Sequence, residues 1–211
     1  MKKLILLGLC LLVFAGSAFS LDWAIGGGGM FSASWSNAED WTDPDFTYTL
    51  SRQGFGGFVF FGLGRYLEAN LGFLYKSPKT VDFKYNGTTY ISFDVSDPIY
   101  DFRSVFGIQF GLYFKYPFVL SDRIVLFPTA GVDYELTVGD EKKDWWDDVW
   151  FRGGVGLDIF FSQRAFLRVH ALYGVGVFIG DEDYSFFGYY LDAYKTWSHG
   201  MLFKVGVGFM F

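Results

Sequence analysis

Apolar and polar residues alternate with a period of two through most of this chain, and the last segment shows it most plainly. Trp197, Met201, Phe203, Val205, Val207, Phe209 and Phe211 fall on one face, and Ser198, Gly200, Lys204, Gly206 and Gly208 on the other. Successive side chains point to opposite sides only in a β-strand, so the pattern predicts strand. Five earlier segments repeat it. Leu167, Val169, Ala171, Tyr173, Val175 and Val177 oppose Arg168, His170, Gly174 and Gly176. Val149, Phe151, Val155, Leu157, Ile159 and Phe161 oppose Arg152, Gly154, Gly156 and Asp158. Ile124, Leu126, Ala130, Val132, Tyr134 and Leu136 oppose Thr129, Gly131, Asp133 and Glu135. Phe102, Phe106, Ile108, Phe110, Leu112 and Phe114 oppose Arg103, Gly107, Gln109, Gly111 and Lys115, and Leu67, Ala69, Leu71, Phe73 and Tyr75 oppose Glu68, Asn70, Gly72 and Lys76.

Two further segments bring the number to eight. Trp23, Ile25, Phe31 and Trp35 flank the run Gly26 to Gly29. Residues 50–61 carry Phe on both faces, and placing Phe55, Val59 and Phe61 on the apolar face puts Arg52 on the polar one. The connections differ in length. Residues 62–65, 116–123 and 162–165 make short links, and 36–49, 77–101, 139–148 and 180–195 make long ones. The second long link contains Asn86-Gly87 between two β-prone runs, a hairpin signature. That hairpin is expected to extend a sheet wall, and as an inserted strand pair it would give ten strands.

Composition decides what kind of sheet this is. The chain is 51% hydrophobic and 23% aromatic, with 27 Gly and 5 Pro. Beyond the N-terminus no run approaches the ~18 apolar residues of a membrane helix. In a soluble sandwich the apolar face is buried and the other is rich in solvated side chains. Here the polar face is mostly Gly with single charges, which suits the interior of a narrow barrel, while the aromatic-capped apolar face suits lipid. In lipid every backbone group must be bonded, so the sheet must close. The expected fold is all-β, a closed antiparallel transmembrane β-barrel of eight strands.

The termini agree. Met1-Lys2-Lys3, the apolar stretch 4–14 and the small residues Ala15 to Ser20 form an export signal, with cleavage expected after Ser20. That divides the chain into a signal peptide, 1–20, and a barrel domain, 21–211. Cys10, the only cysteine, leaves with the signal. Removing Lys2 and Lys3 moves the net charge from −6 to −8, which disfavours nucleic acid as a partner. The final residues 204–211 resemble the C-terminal sorting signal of bacterial outer-membrane barrels, with Lys204, Gly206, Phe209 and Phe211 at its defining places. Together with the eight segments, the length asymmetry and the export signal, they make the chain similar to the small outer-membrane barrels of the OmpA/OmpX/OmpW type. The stretch from Gly57 to Phe61, followed by Tyr66 to Gly72, also resembles spirochaete barrel proteins. The resemblance implies outer-membrane lipid as surroundings, periplasmic chaperones and the barrel-assembly machinery as partners in biogenesis, periplasmic termini and extracellular long loops. It leaves activity open, because this family hosts adhesins, stabilisers, channels and lipid enzymes.

Candidate chemistry lies in two places. The expected lumen holds Arg52, Glu68, Lys76, Arg103, Lys115, Asp133, Glu135, Arg152, Asp158, Arg168, His170 and Lys204. Across the 162–165 turn Asp158 falls opposite Arg168, and Arg152 falls near Asp133 and Glu135. An unpaired charge in a narrow interior is costly, so a salt-bridged plug is expected, with a conduction path as the alternative. The loops are acidic and aromatic: Glu39, Asp40 and Trp41; Asp140, Glu141, Asp144, Asp147 and Asp148 with Trp145, Trp146 and Trp150; Asp181 to Asp183 before Phe186 and Phe187. They read as a solvated rim or as a surface for an extracellular ligand. No loop has EF-hand spacing, and no metal or cofactor is expected. His199 is expected on the outer face among girdle aromatics. Its neighbour Ser198 points the other way, so a catalytic pair is disfavoured and no enzyme activity is expected.

Overall fold

The computed structural model describes residues 23–40, 43, 45–94, 104–138, 147–179 and 193–211. Ten strands are present: β1 (Trp23–Asp40), β2 (Phe46–Leu63), β3 (Leu67–Tyr85), β4 (Thr88–Asp94), β5 (Val105–Lys115), β6 (Phe118–Ser121), β7 (Ile124–Val138), β8 (Asp147–Phe160), β9 (Ala165–Ile179) and β10 (Ala193–Met210). Eight of them close a ring in the order β1, β2, β3, β5, β7, β8, β9, β10 and back to β1, every pair antiparallel. The closure is the β1–β10 ladder, which runs from Ala24↔Met210 through Trp35↔His199 to Asp40↔Ala193. The terminal strand therefore pairs with the first, which leaves the ring without an open edge. The signal-peptide residues lie outside the described residues.

Ten strands enter the sheet but eight enter the ring, and the Asn86-Gly87 hairpin explains the difference. β3 runs past the point where β5 begins, pairs with β2 over its whole length, and turns at Asn86 and Gly87 into β4. Both turn residues have positive φ, 48° and 75°, the combination a two-residue hairpin turn needs. The hairpin raises one wall of the barrel instead of widening it. Its inward side is a small apolar cluster in which Tyr48 and Phe93 each meet Phe83 edge-on, at 5.1 and 5.6 Å. β6 extends the wall in the same way at the other end, pairing only with β7.

The long strands change the expected boundaries. β1 runs to Asp40 and β2 starts at Phe46, so Glu39 and Asp40 belong to a strand and not to a loop. Likewise β8 begins at Asp147, which takes Asp148 and Trp150 out of the third loop. Both are inward and buried.

Facing follows the predicted alternation on the eight ring strands. Phe55, Val59, Phe73, Phe110, Phe151, Val205 and Phe209 are exposed on the outside, while their sequence neighbours are buried inside. Aromatics gather at both margins of this apolar band, Trp35, Tyr173 and Trp197 at one and Trp23, Tyr66 and Phe161 at the other, where amphipathic rings fit the lipid–water boundary. The inward face departs from expectation in one respect. It carries large rings as well as Gly and charges: Phe58, Phe60, Tyr113, Phe127, Trp150 and Phe166 are all buried there. Each ring lies across glycine backbone. A Cβ on Gly26 would stand 2.4 Å from the Phe60 ring, one on Gly156 2.1 Å from Phe127, and one on Gly176 2.9 Å from Trp150. Gly26, Gly156 and Gly176 are thus seats of aromatic rings.

Candidate functional site

The buried chemistry of the described residues is stacked inside the ring in three levels. Nearest the short turns, Arg168 of β9 forks onto Asp158 of β8, its strand partner, with Nε–Oδ1 2.7 Å and Nη2–Oδ2 2.6 Å. Its remaining Nη1 donates to Glu68. Glu68 lies on β3, four places round the ring from β9, so this contact joins opposite walls of the barrel. Lys115 Nζ and Asn70 Nδ2 also donate to Glu68, each at 3.2 Å. The guanidinium carbon of Arg168 sits 4.5 Å from the centre of the Phe60 ring and 4.8 Å from Phe166. Planar delocalised charge stacks well on such faces, so the ion is held by both charge and π-surface. His170 stands beside this level, Nε2 4.0 Å from Glu68 Oε1, with its ring edge-on to Phe127.

In the middle level, Arg152 Nε pairs with Asp133 Oδ2 at 2.7 Å, and Tyr113 Oη donates to the same carboxylate. The Arg152 guanidinium lies 4.3 Å from the Trp150 ring. Lys204 Nζ lies 4.9 Å from the Tyr113 ring and 5.6 Å from Phe58, with no hydrogen-bond acceptor. Above this, Lys76 pairs with Glu135. Arg152 therefore takes Asp133 alone of the two carboxylates expected near it, because Glu135 is claimed by Lys76 from two ring strands away.

No protein-family model and no curated protein sequence matches the chain. Among solved structures it is similar to the outer membrane protein OprG from Pseudomonas aeruginosa, with a TM-score of 0.54 and 14% identity over 92% of this chain and 97% of that one. It is also similar to the outer membrane protein AlkL, solved in DMPC lipid bilayers, with a TM-score of 0.50 and 14% identity over 92% of this chain and 91% of that one. The chain has the fold of a small outer-membrane β-barrel.

In this barrel most of the lumen charges read from alternation come together. Glu68, Lys76, Lys115, Asp133, Glu135, Arg152, Asp158 and Arg168 are buried in ion pairs. His170 and Lys204 are buried among them. Arg52 is inward and half-buried beside an irregularity in the β2–β3 register between Ser51 and Arg52. Arg103 lies outside the described residues. So do the loop aromatics Trp41, Trp145, Trp146, Phe186 and Phe187. Of the terminal signature, Lys204 and Gly206 face the lumen, whereas Phe209 and Phe211 face outward.

Sequence reasoning missed the inward aromatics, although their parity was visible. Phe58, Phe60, Tyr113, Phe127, Trp150 and Phe166 all share a face with the charges. Their role as cation seats needed the ring to be closed. At the upper outer margin His199 stacks on Trp35 at 5.2 Å and meets Tyr173 Oη through Nδ1 at 3.2 Å. Ser198 turns inward and donates to Ser36 Oγ at 3.0 Å, so it and His199 lie on opposite faces of the wall.

Proposed function

We propose that this chain is an integral outer-membrane protein, a sealed barrel whose interior is structural and whose long-loop end presents a binding surface to an extracellular ligand. In this reading both termini and the short turns face the periplasm, and no reaction is catalysed. The observation that carries it is the Arg168–Glu68 contact. A side chain from β9 reaches β3 on the opposite wall, and its other nitrogens are spent on Asp158. An eight-stranded barrel has room for little beyond its own side chains, so a contact that spans the bore while packed against Phe60 and Phe166 supports an interior filled by its own side chains. The wall raised by β3 and β4 supports the binding half, since it carries exposed Tyr85, Tyr90 and Ile91 away from the membrane band.

A second reading, a narrow channel for small or hydrophobic solutes, draws support from the middle and upper levels. There Lys204 Nζ, Gln109 Nε2 and Trp150 Nε1 are buried without a hydrogen-bond partner, and buried polar groups of this kind are commonly served by water. Planar-bilayer recording with the refolded protein separates the two. A sealed barrel gives no discrete openings at neutral pH, whereas resolved unitary currents establish the channel. A pull-down with the intact barrel then tests for the extracellular ligand.

A further inference from the structure

The three short turns share a feature that neither the lumen nor the long loops require. Each carries an exposed arginine: Arg65 in the β2–β3 turn, Arg123 between β6 and β7, and Arg164 between β8 and β9. The only acidic side chain in these turns is Asp122. In ring order the turns lie two strands apart, and the meeting of β10 with β1 occupies the fourth quarter. The arginines are therefore spread round the rim and not gathered into a patch.

The rim that carries them is fixed. Tyr66 O accepts from Lys115 N at 2.7 Å, Arg123 O from Phe160 N at 2.8 Å, and Arg164 O from Met210 N at 2.8 Å. Each turn is thus tied to the next ring strand by its own backbone. Beside the arginines stand apolar and aromatic groups on the outside of the wall. Tyr66 stacks on Phe114, Tyr116 meets Phe118 at 5.2 Å, and Val119 and Leu120 are 73% and 62% exposed. An exposed Val-Leu tip next to a guanidinium is unfavourable in bulk water. It suits the boundary where acyl chains end and phosphates begin.

We propose that this rim is a docking surface for anionic phospholipid, with Arg65, Arg123 and Arg164 each pairing with headgroup phosphates of the leaflet at the short-turn end. Guanidinium matches phosphate in two-point geometry, and a ring of evenly spaced cations fits a continuous lipid surface better than a single protein partner. The contact needs only the barrel and its membrane band. It stands whether or not the lumen is sealed and whichever way the barrel is oriented.

Native mass spectrometry of the refolded full-length barrel, released from equimolar phosphatidylglycerol and phosphatidylcholine, tests this. The wild type is expected to retain phosphatidylglycerol preferentially. A basic residue near an anionic surface contributes about 1 kcal/mol, so each Arg→Gln change should reduce the preference by roughly fivefold at most. The triple variant R65Q/R123Q/R164Q should lose nearly all of it, and R65K/R123K/R164K should keep most of it. Heat-modifiable mobility on gels shows that each variant is folded. Equal retention of the two lipids by the wild type overturns the proposal, as does an undiminished preference in the folded glutamine triple.

Discussion

The lower charge level lends itself to a quantitative test through Arg168→Met. Four charges meet there, Glu68, Asp158, Lys115 and Arg168, and they sum to zero. Methionine keeps apolar contact with Phe60 and Phe166 but removes the two bonds to Asp158, at 2.7 and 2.6 Å, and the one to Glu68. Two buried carboxylates then share one cation, Lys115, which lies 3.2 Å from Glu68. Breaking a buried pair by removing one partner costs about 3–5 kcal/mol, because the survivor is left desolvated and uncompensated. The double variant R168M/D158L removes the stranded charge and restores neutrality. It should be more stable than R168M alone by about 1 kcal/mol or more, although it carries one more substitution. Equilibrium urea unfolding in lipid vesicles, followed by tryptophan fluorescence, measures both. Planar-bilayer recording on the same proteins should remain silent, because Phe60, Phe127 and Phe166 still fill that level. The reasoning fails if the double variant is less stable than R168M by the full increment of an independent Asp158→Leu change. It fails too if R168M alone opens a conducting path.

Two further expectations use the same unfolding assay. Gly28 and Gly29 are neighbours on β1 with opposite surroundings: a Cβ on Gly28 would lie 2.0 Å from Val205 O, and one on Gly29 has nothing nearer than 3.9 Å. Gly28→Ala should lower stability by about 1–3 kcal/mol through overpacking, whereas Gly29→Ala should leave it unchanged or raise it by up to ~1 kcal/mol; equal effects would refute the assignment of faces. Lys204→Met replaces a buried ammonium that has no hydrogen-bond acceptor, so its effect should be neutral or stabilising by up to ~4 kcal/mol. A loss of more than ~2 kcal/mol would mean that Lys204 has a partner such as ordered water that the apolar side chain cannot replace.

Strand identity and facing were legible because they are local. Phe203, Val205 and Val207 alternate with Lys204 and Gly206 on one segment, and no other part of the chain is needed to see that two faces exist. The Asp158–Arg168 pair was legible for a similar reason. A short turn fixes register, so residues equidistant from it must face each other. Strand ends were less visible. Glu39, Asp40, Asp147 and Asp148 look like loop residues by composition, yet β1 and β8 include them because pairing with a neighbour satisfies the backbone whatever the side chain.

The sequence by itself thus determined that the chain forms strands, which side of each strand meets lipid, that the sheet must close, and which charges turn inward. Only the closed ring decided how those charges pair. Glu68 and Arg168 are 100 residues apart and Lys76 and Glu135 are 59 apart, and no turn relates them. They meet because eight strands enclose a bore narrow enough for side chains from opposite walls to touch, a property of the curvature and not of any one segment. Strand register, likewise invisible in any one segment, seats Phe60, Phe127 and Trp150 opposite Gly26, Gly156 and Gly176 of the adjacent strands, and so turns a face that reads as small and polar into a packed interior.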